Sequence, residues 1–491
     1  MRRLKQSAAV KTRAGRRRRP VKLRRKLAKT KKHAVKSARR KKTLKSARPL
    51  RLKKSSVRTR SRKRKGRLSG AARKKGKTRR AGKAKRLRRV PPAEAALQPA
   101  ESELRAEPPE EPEDEQQEQG EPGFRRGVNL IGFLRAELGL GESVRLAARS
   151  LSAVNMPFGI LDYKEVISEG MSDLTWAHKE IAEPQYKVNI FHMNADALSH
   201  CHNYFGHELW HNRYNIGVWH WELPEFPDEF CSGFNYVQEV WAPTTYVQHV
   251  ISQKANVPVL RIPHSIHVDV VPELNREAFG LPQDRYLFYM MYDLQSTTAR
   301  KNPQGAIEAF KMAFDKDDPR VGLVLKVNNS SLRPEDIEEL RPLIAGHSNI
   351  FLIDRVLSRI EVNSLLNSTD CYVSLHRAEG FGLGLAEAMY LGKPVIGTNW
   401  SGNTDFMNEE NSCPVNFSMV HVGEIWGPYQ AHQIWADPDL SQAAGYMREL
   451  VHNPEWRNAI AAKGQETIRT QFSPRAVGQM IKQRLKEIGW Y

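Results

Sequence analysis

Two glutamates, Glu379 and Glu387, bracket a glycine-rich run in HRAEGFGLGLAEAM, residues 376–389. Gly380, Gly382 and Gly384 stand on alternate positions, where each weakens a helix or a strand by roughly 0.5–1 kcal/mol. Stability alone does not explain them. The preceding CYVSLH reads as a strand and the following GLGLAEAMYLG as a helix, so RAEGFG is the loop at a strand's carboxyl end. A helix that starts near Gly382 offers unpaired N–H groups and a favourable dipole to an oxygen-rich, anionic ligand. Glu387, one turn in, leans back toward that ligand, and Glu379 approaches from the other side. Carboxylates repel phosphate but accept hydrogen bonds from the vicinal hydroxyls of a sugar or a ribose. A ligand with phosphate in the middle and a hydroxyl-rich ring at each end meets both demands, and a nucleotide sugar has that form.

The elements that must position this loop follow from the pattern of apolar runs. Strands are expected at 127–133, 187–193, 215–221, 239–243 and 257–263, and again at 285–292, 321–327, 349–353, 371–376 and 394–398. Helical periodicity at 303–314, 335–345, 358–368 and 382–391 separates members of the second set. Such alternation predicts an α/β protein of parallel sheets with helices on both faces. Two sets of about five strands predict two doubly wound, Rossmann-like domains meeting near 270–283, with ligands held in the cleft between them.

The EGFGLGLAE segment resembles the E-x7-E motif of the retaining glycosyltransferases of family 4, group 1, which have the GT-B fold. The resemblance spans roughly 127–488. It implies that Glu379 contacts the donor sugar and Glu387 the ribose, with Gly380, Phe381, Gly382 and Leu383 presenting backbone to sugar and phosphate. GTNWSGNTDF (397–406), with Ser401 and Gly402, resembles the loop that closes on the sugar. YDLQSTTARKNPQGAIEAFKMAF (292–314) resembles the segment whose Arg and Lys hold the diphosphate, and Arg300 and Lys301 match its Lys-bearing end. Where many members carry a further Arg, Ser296 stands instead, and Lys326 is a substitute source of charge. RAELGLGESVRLAARSL (135–151) resembles the N-terminal glycine loop and first helix, which places Gly139 and Gly141 beside the reaction centre. His220 and Glu222, in GVWHWELPEF (217–226), are expected on the acceptor side, with His220 a catalytic candidate. The expected activity is retaining transfer of a hexose, mannose or glucose, from a nucleotide-diphosphate donor to a glycan or lipid-linked acceptor in polysaccharide biosynthesis. No protein nucleophile is assigned.

A rival pattern is HELWH, residues 207–211, which satisfies H-E-x-x-H and read alone implies a zinc-dependent hydrolase. Its surroundings, NYFGHELWHNRYN, are short and interrupted for the helix that zinc ligation needs, and no third ligand follows at motif spacing. DPD at 437–439 resembles a D-x-D metal motif but is expected in a loop before a helix. No required metal or other cofactor is expected. P-loop and G-x-G-x-x-G dinucleotide signatures are absent, which removes support for nucleotide hydrolysis and dinucleotide redox chemistry.

Charge divides the 491-residue chain sharply. Residues 1–90 hold 44 Lys and Arg and no Asp or Glu, and 91–122 hold 11 acidic residues against one Arg. The rest carries 33 basic against 43 acidic residues, so the whole net charge of +24 is a property of the tail. A tail without aromatic residues or apolar periodicity is expected to be disordered, with a Pro/Glu-rich linker at 91–123. Its partners by charge are nucleic acid or an anionic membrane surface, so a nucleic-acid-binding protein is a second alternative function. The expected organisation is tail 1–90, linker 91–123, acceptor domain 124–273 completed by a helix in 473–491, and donor domain 274–472. No secretory signal and no run of 18 apolar residues occurs, and four scattered cysteines suit a reducing compartment, so a cytoplasmic location, peripheral to the inner membrane face if the acceptor is lipid-linked, is expected. After Met1 the next methionine is Met156, so a tail created by a misplaced gene start implies a start codon other than Met.

Overall fold

The computed structural model describes residues 124–164 and 173–491. The basic tail, the acidic linker, and the membrane and nucleic-acid readings attached to them lie outside the described residues. Among the described residues no helix is long and apolar enough to cross a membrane.

Among the described residues, fourteen strands form two parallel sheets and one hairpin. The first sheet holds β1 (Arg125–Gly132), β2 (Phe158–Asp162), β3 (Tyr186–His192), β4 (Tyr214–Val218), β5 (Glu239–Ala242) and β6 (Val259–Arg261), in the order β2-β1-β3-β4-β5-β6. The second holds β7 (Tyr286–Asp293), β8 (Val321–Asn328), β9 (Ile350–Asp354), β10 (Cys371–Ser374), β11 (Val395–Thr398) and β12 (Cys413–Val415), in the order β12-β11-β10-β7-β8-β9. An antiparallel pair, β13 (Phe417–His421) and β14 (Ile434–Pro438), stands apart. Helices cover both faces of the two sheets, which is why central strands read as continuous apolar runs: β8, VGLVLKVN, is buried at every position but the last. Four apolar clusters, two to a sheet, form the core.

Strand order reverses between β1 and β3 in one sheet and between β7 and β10 in the other. At such switch points neighbouring loops diverge and leave a crevice beyond the carboxyl ends of the strands. Each sheet has six strands rather than about five. The strands added, β2 and β12, are both edge strands. β12 contains Pro414, which an edge tolerates because one side of its backbone needs no ladder partner.

The helix Pro474–Glu487 returns to the first sheet, where Val477, Ile481 and Leu485 pack with Val144, Leu151 and Trp241. Gly478 lies so close to the Ser150 carbonyl that a Cβ there would overlap it. The helix is anchored by Arg484, whose guanidinium donates to the fully buried Glu239 carboxylate at 2.6 Å.

Candidate functional site

A cavity of about 600 Å³ lies between the two sheets. From the second sheet it is lined by the end of β7, the segment after it, and the loop from β10 into the helix Leu383–Tyr390. From the first it is lined by the start of the helix Gly139–Ser152 and by Asn194, His220, Glu222 and His264.

The glycine loop has a backbone that its sequence compels. Gly382 caps the helix Leu383–Tyr390 with φ 95°, a left-handed conformation costly for any side chain. Gly402 packs directly on the loop: its amide donates to Glu379 O at 2.9 Å, and a Cβ at that position would collide with the Gly380 carbonyl. Ser401 Oγ accepts from the Glu379 amide at 2.8 Å. Ser401 and Gly402 therefore hold the loop from below and do not line the cavity.

Both motif glutamates reach the cavity, each against a cation. Glu379 is paired with Lys301, and Arg300 lies 3.6 Å away. Burial alone would raise the Glu379 carboxyl, but Lys301 and then Arg300 outweigh it and bring its pKa down to about 2. Glu387 is buried and paired with Arg359, on the helix Arg359–Asn367, while the Glu142 carboxylate of the opposite wall stands 3.8 Å from the same guanidinium. Burial, with a smaller push from Glu142, exceeds the pull of Arg359 and leaves the Glu387 carboxyl above its ordinary range. The chain of charges continues through Arg145, 2.9 Å from Glu142 and 3.2 Å from Asp173.

Arg300, Lys301, Glu379, Gly380, Phe381, Gly382, Leu383, Glu387, Gly139 and His220 all line the cavity, as does Ser296. Lys326 does not, and it is not a surface lysine either. It is 1 % exposed, and its ammonium donates to Val327 O at 2.8 Å and to the Asn328 side chain. Burial lowers its pKa to about 8 despite Asp293 and Asp354. Gly141 is also off the cavity, pressed against the carbonyls of Ala136 and Phe133.

In the aromatic segment, Trp219, Trp221 and Leu223 face the core while His220 and Glu222 face the cleft, the alternation of an extended chain. His220 Nε2 meets His264 Nε2 at 2.8 Å, so one ring donates to the other. His220 Nδ1 is buried without a partner, which leaves the carbon side of the ring toward Gly380. Burial lowers His220 to about 4, and burial with His220 lowers His192 to about 3, so both rings are neutral at pH 7.

HELWH is not on a helix of any length. His207–Leu209 form a single 3-10 turn, and His207, Glu208 and His211 are exposed, away from the cavity. The two rings are 5.3 Å apart, but among the described residues no group of three or more His, Cys, Asp or Glu is placed to hold a metal ion. DPD begins within β14, where Asp437 pairs with Arg377 at 3.0 Å, and Asp439 caps the helix Leu440–His452.

Sequence reasoning missed Arg359, His264, Asn194 and the Glu142–Arg145 pair. The i, i+3 spacing of Glu142 and Arg145 in the first helix was a signal. Arg359 carried none, because its partner Glu387 is 28 residues away on another helix.

Residues 272–467 match the family model of glycosyl transferases group 1. Trehalose synthase of Rubrobacter xylanophilus is 23% identical over 198 residues, 38% of this chain and 41% of that protein, so the chain spans about two fifths of that curated relative. Among solved structures, Anabaena HepE in complex with UDP-glucose superposes with TM-score 0.54 at 14% identity, over 74% of this chain and 100% of that one. Sucrose-phosphate synthase from Thermosynechococcus elongatus gives TM-score 0.54 at 15% identity, and a glycosyltransferase from Rickettsia africae 0.52 at 16%, each over 74% of this chain and 99% of the other. The fold is the GT-B fold, and the stretch similar to glycosyl transferases group 1 is the one that builds the glycine loop and its paired glutamates.

Proposed function

We propose that this protein is a retaining glycosyltransferase that moves a hexose from a nucleotide-diphosphate sugar to a hydroxyl of a glycan or lipid-linked acceptor, in polysaccharide biosynthesis. One observation carries the reading: a helix N-terminus, three cations and the two motif carboxylates converge on a single cavity at the carboxyl ends of both sheets.

The diphosphate lies against the amides that open the helix Leu383–Tyr390 and against Arg300 and Lys301, where positive charge in a water-poor cleft stabilises the leaving group. Glu379, ionised through its cations, accepts from hydroxyls of the sugar, and Glu387 accepts from the ribose diol. The acceptor enters along Asn194, His220 and Glu222. With no protein nucleophile assigned, the leaving phosphate guides the acceptor proton on the face it departs from, which retains the anomeric configuration. The UDP-glucose complex of Anabaena HepE, which shares the fold, makes UDP-glucose the first donor to try.

The test is thermal-shift binding of the full chain to UDP, GDP and ADP and their glucose and mannose conjugates, beside Glu387→Ala. Selective stabilisation by one base, lost in the variant, is the expected result. No response to any of these nucleotides would overturn the reading.

A further inference from the structure

The loop between β13 and β14 crosses from the second sheet to the first. It is closed by Gly423 N donating to Ala431 O at 3.0 Å and by a reciprocal Trp426–Tyr429 backbone pair, also at 3.0 Å. Val422, Tyr429 and Trp435 join the apolar cluster built by Trp219, Trp221 and Phe226 of the other domain. Tyr429 is 5 % exposed, with its ring 5.5 Å from that of Trp221. Its hydroxyl donates to Glu222 Oε2 at 2.8 Å, across 207 residues of sequence. The same segment is held twice more: Tyr246 donates to Glu222 O at 3.0 Å, and Gln433 to Glu225 O at 3.3 Å.

Arg300 stands on the far side of Glu222. Its Nη1 donates to Ala378 O at 2.8 Å, and its Nε is buried without a partner. The carboxylates that flank it, Glu222 and Glu379, remain 3.7 and 3.6 Å off. An Arg and a carboxylate left to themselves close to about 2.8 Å, often through two parallel hydrogen bonds. Here Glu222 is drawn to the phenol instead, and the guanidinium, apart from the Nη1 contact to Ala378 O, is not closed by either carboxylate. Burial, more than the carboxylates near it, holds the Tyr429 hydroxyl well above its ordinary pKa, so it is a donor throughout the working range.

We propose that Tyr429 is a positioning residue that holds Glu222 back from Arg300 and so keeps the guanidinium available for the diphosphate of the donor. The inference rests on the donor-site reading above. Without the hydroxyl, Glu222 turns to the nearest strong donor, Arg300, and an incoming diphosphate must displace it.

The experiment is calorimetric titration of the full chain with UDP, GDP and ADP, following whichever binds tightest. Tyr429→Phe keeps the ring and its packing, and is expected to weaken that nucleotide about tenfold, the scale of one charge-assisted hydrogen bond. Adding Glu222→Gln to Tyr429→Phe is expected to restore wild-type affinity, because a neutral amide, without the ion-pair attraction, is readily displaced from the guanidinium by a diphosphate. A merely structural tyrosine would not be rescued by that second change. If the double variant binds no better than Tyr429→Phe alone, or if Tyr429→Phe stays within twofold of wild type, the inference falls. Arg300→Met separates it from its premise: unchanged nucleotide affinity in that variant overturns the donor role of Arg300 and the inference with it, whereas weakened binding there with no effect of Tyr429→Phe overturns the inference alone.

Discussion

The two walls of the cleft meet the cost of burying polar groups in different proportions of matched charge and neutral ring. On the wall from the second sheet, charge is kept and matched: Glu379 against Lys301 and Arg300, Glu387 against Arg359. On the wall from the first sheet, beside the matched Glu142–Arg145 pair, His220 and His264 are buried, neutral and in contact, and His192, buried nearby outside the cavity with Ser143 Oγ 2.8 Å from its Nδ1, is neutral too. A matched charge can be re-partnered by an incoming anion or diol without being desolvated anew, because it was already taken from water. A neutral ring provides hydrogen bonds without drawing phosphate to the acceptor side. The contrast fits the donor and acceptor sides proposed above.

The sharpest way to break this assignment is at Glu379. Glu379→Gln keeps the shape and removes the charge, leaving Lys301 and Arg300 uncompensated beside the sugar. Transfer or donor hydrolysis is expected to fall by roughly a hundredfold to a thousandfold, the scale of a lost charge-assisted contact in a transition state, while binding of the free nucleoside diphosphate stays within a few-fold. An equal loss in nucleotide affinity would mean that Glu379 serves the diphosphate site as a whole and not the sugar.

A smaller effect separates the glycines of the two walls. An alanine Cβ at Gly402 would collide with Gly380 O, and one at Gly141 with Ala136 O, backbone atoms that cannot rotate away. Gly139 has open space around its missing Cβ. Gly402→Ala and Gly141→Ala are expected to cost about 1–3 kcal/mol each in urea unfolding, the range for overpacking, and Gly139→Ala under about 0.5 kcal/mol. Comparable losses at all three would show that Gly139 is constrained by something other than space.

The same contrast explains what the sequence made legible. The donor wall is nearly continuous in the chain: strand, loop, capping glycine and both glutamates fall within residues 371–390, so local spacing revealed it. The acceptor wall is assembled from Glu142, Asn194, His220 and His264, which lie on four separate segments and share no period. The ten strands read from apolar runs are present, and the two of the parallel sheets that escaped, β2 and β12, are both edge strands. β13 and β14 escaped because their stability comes from across the cleft, through Tyr429 and Trp435, and not from their own pattern. Lys326 shows the reverse failure. Its position near the end of a strand pointed to the cleft, but its ammonium is buried against Val327 O and the Asn328 side chain, short of the cavity that Asn328 lines.

The last prediction uses acid to set the walls against each other. His192 has a pKa of about 3 in the folded chain against 6.5 unfolded, so the unfolded state takes up its proton first. The stability this residue contributes is complete above pH 6.5 and is lost as pH falls toward 3. His220, lowered to about 4, acts in the same direction. Glu379, at about 2 against 4.5, contributes fully above pH 4.5 and loses its share only below that. Glu387, raised from 4.5, opposes it, since a raised carboxyl favours the folded state more as pH falls. Between pH 6.5 and 4.5, therefore, buried histidines dominate the change, three of them (His192, His220, His264) with the first sheet and one (His376, also lowered by burial) with the second, at most about 1.4 kcal/mol per pH unit for each. His192→Asn, whose amide stands roughly where Nδ1 does beside Ser143, should lower the slope of unfolding free energy against pH by nearly one proton in that window. Hydrogen exchange at pH 5 should open peptides spanning 186–222, with two such histidines, before those spanning 371–398, with only His376. An unchanged slope in His192→Asn, or equal opening of both peptide sets, would mean that the two walls do not differ in how they carry buried charge.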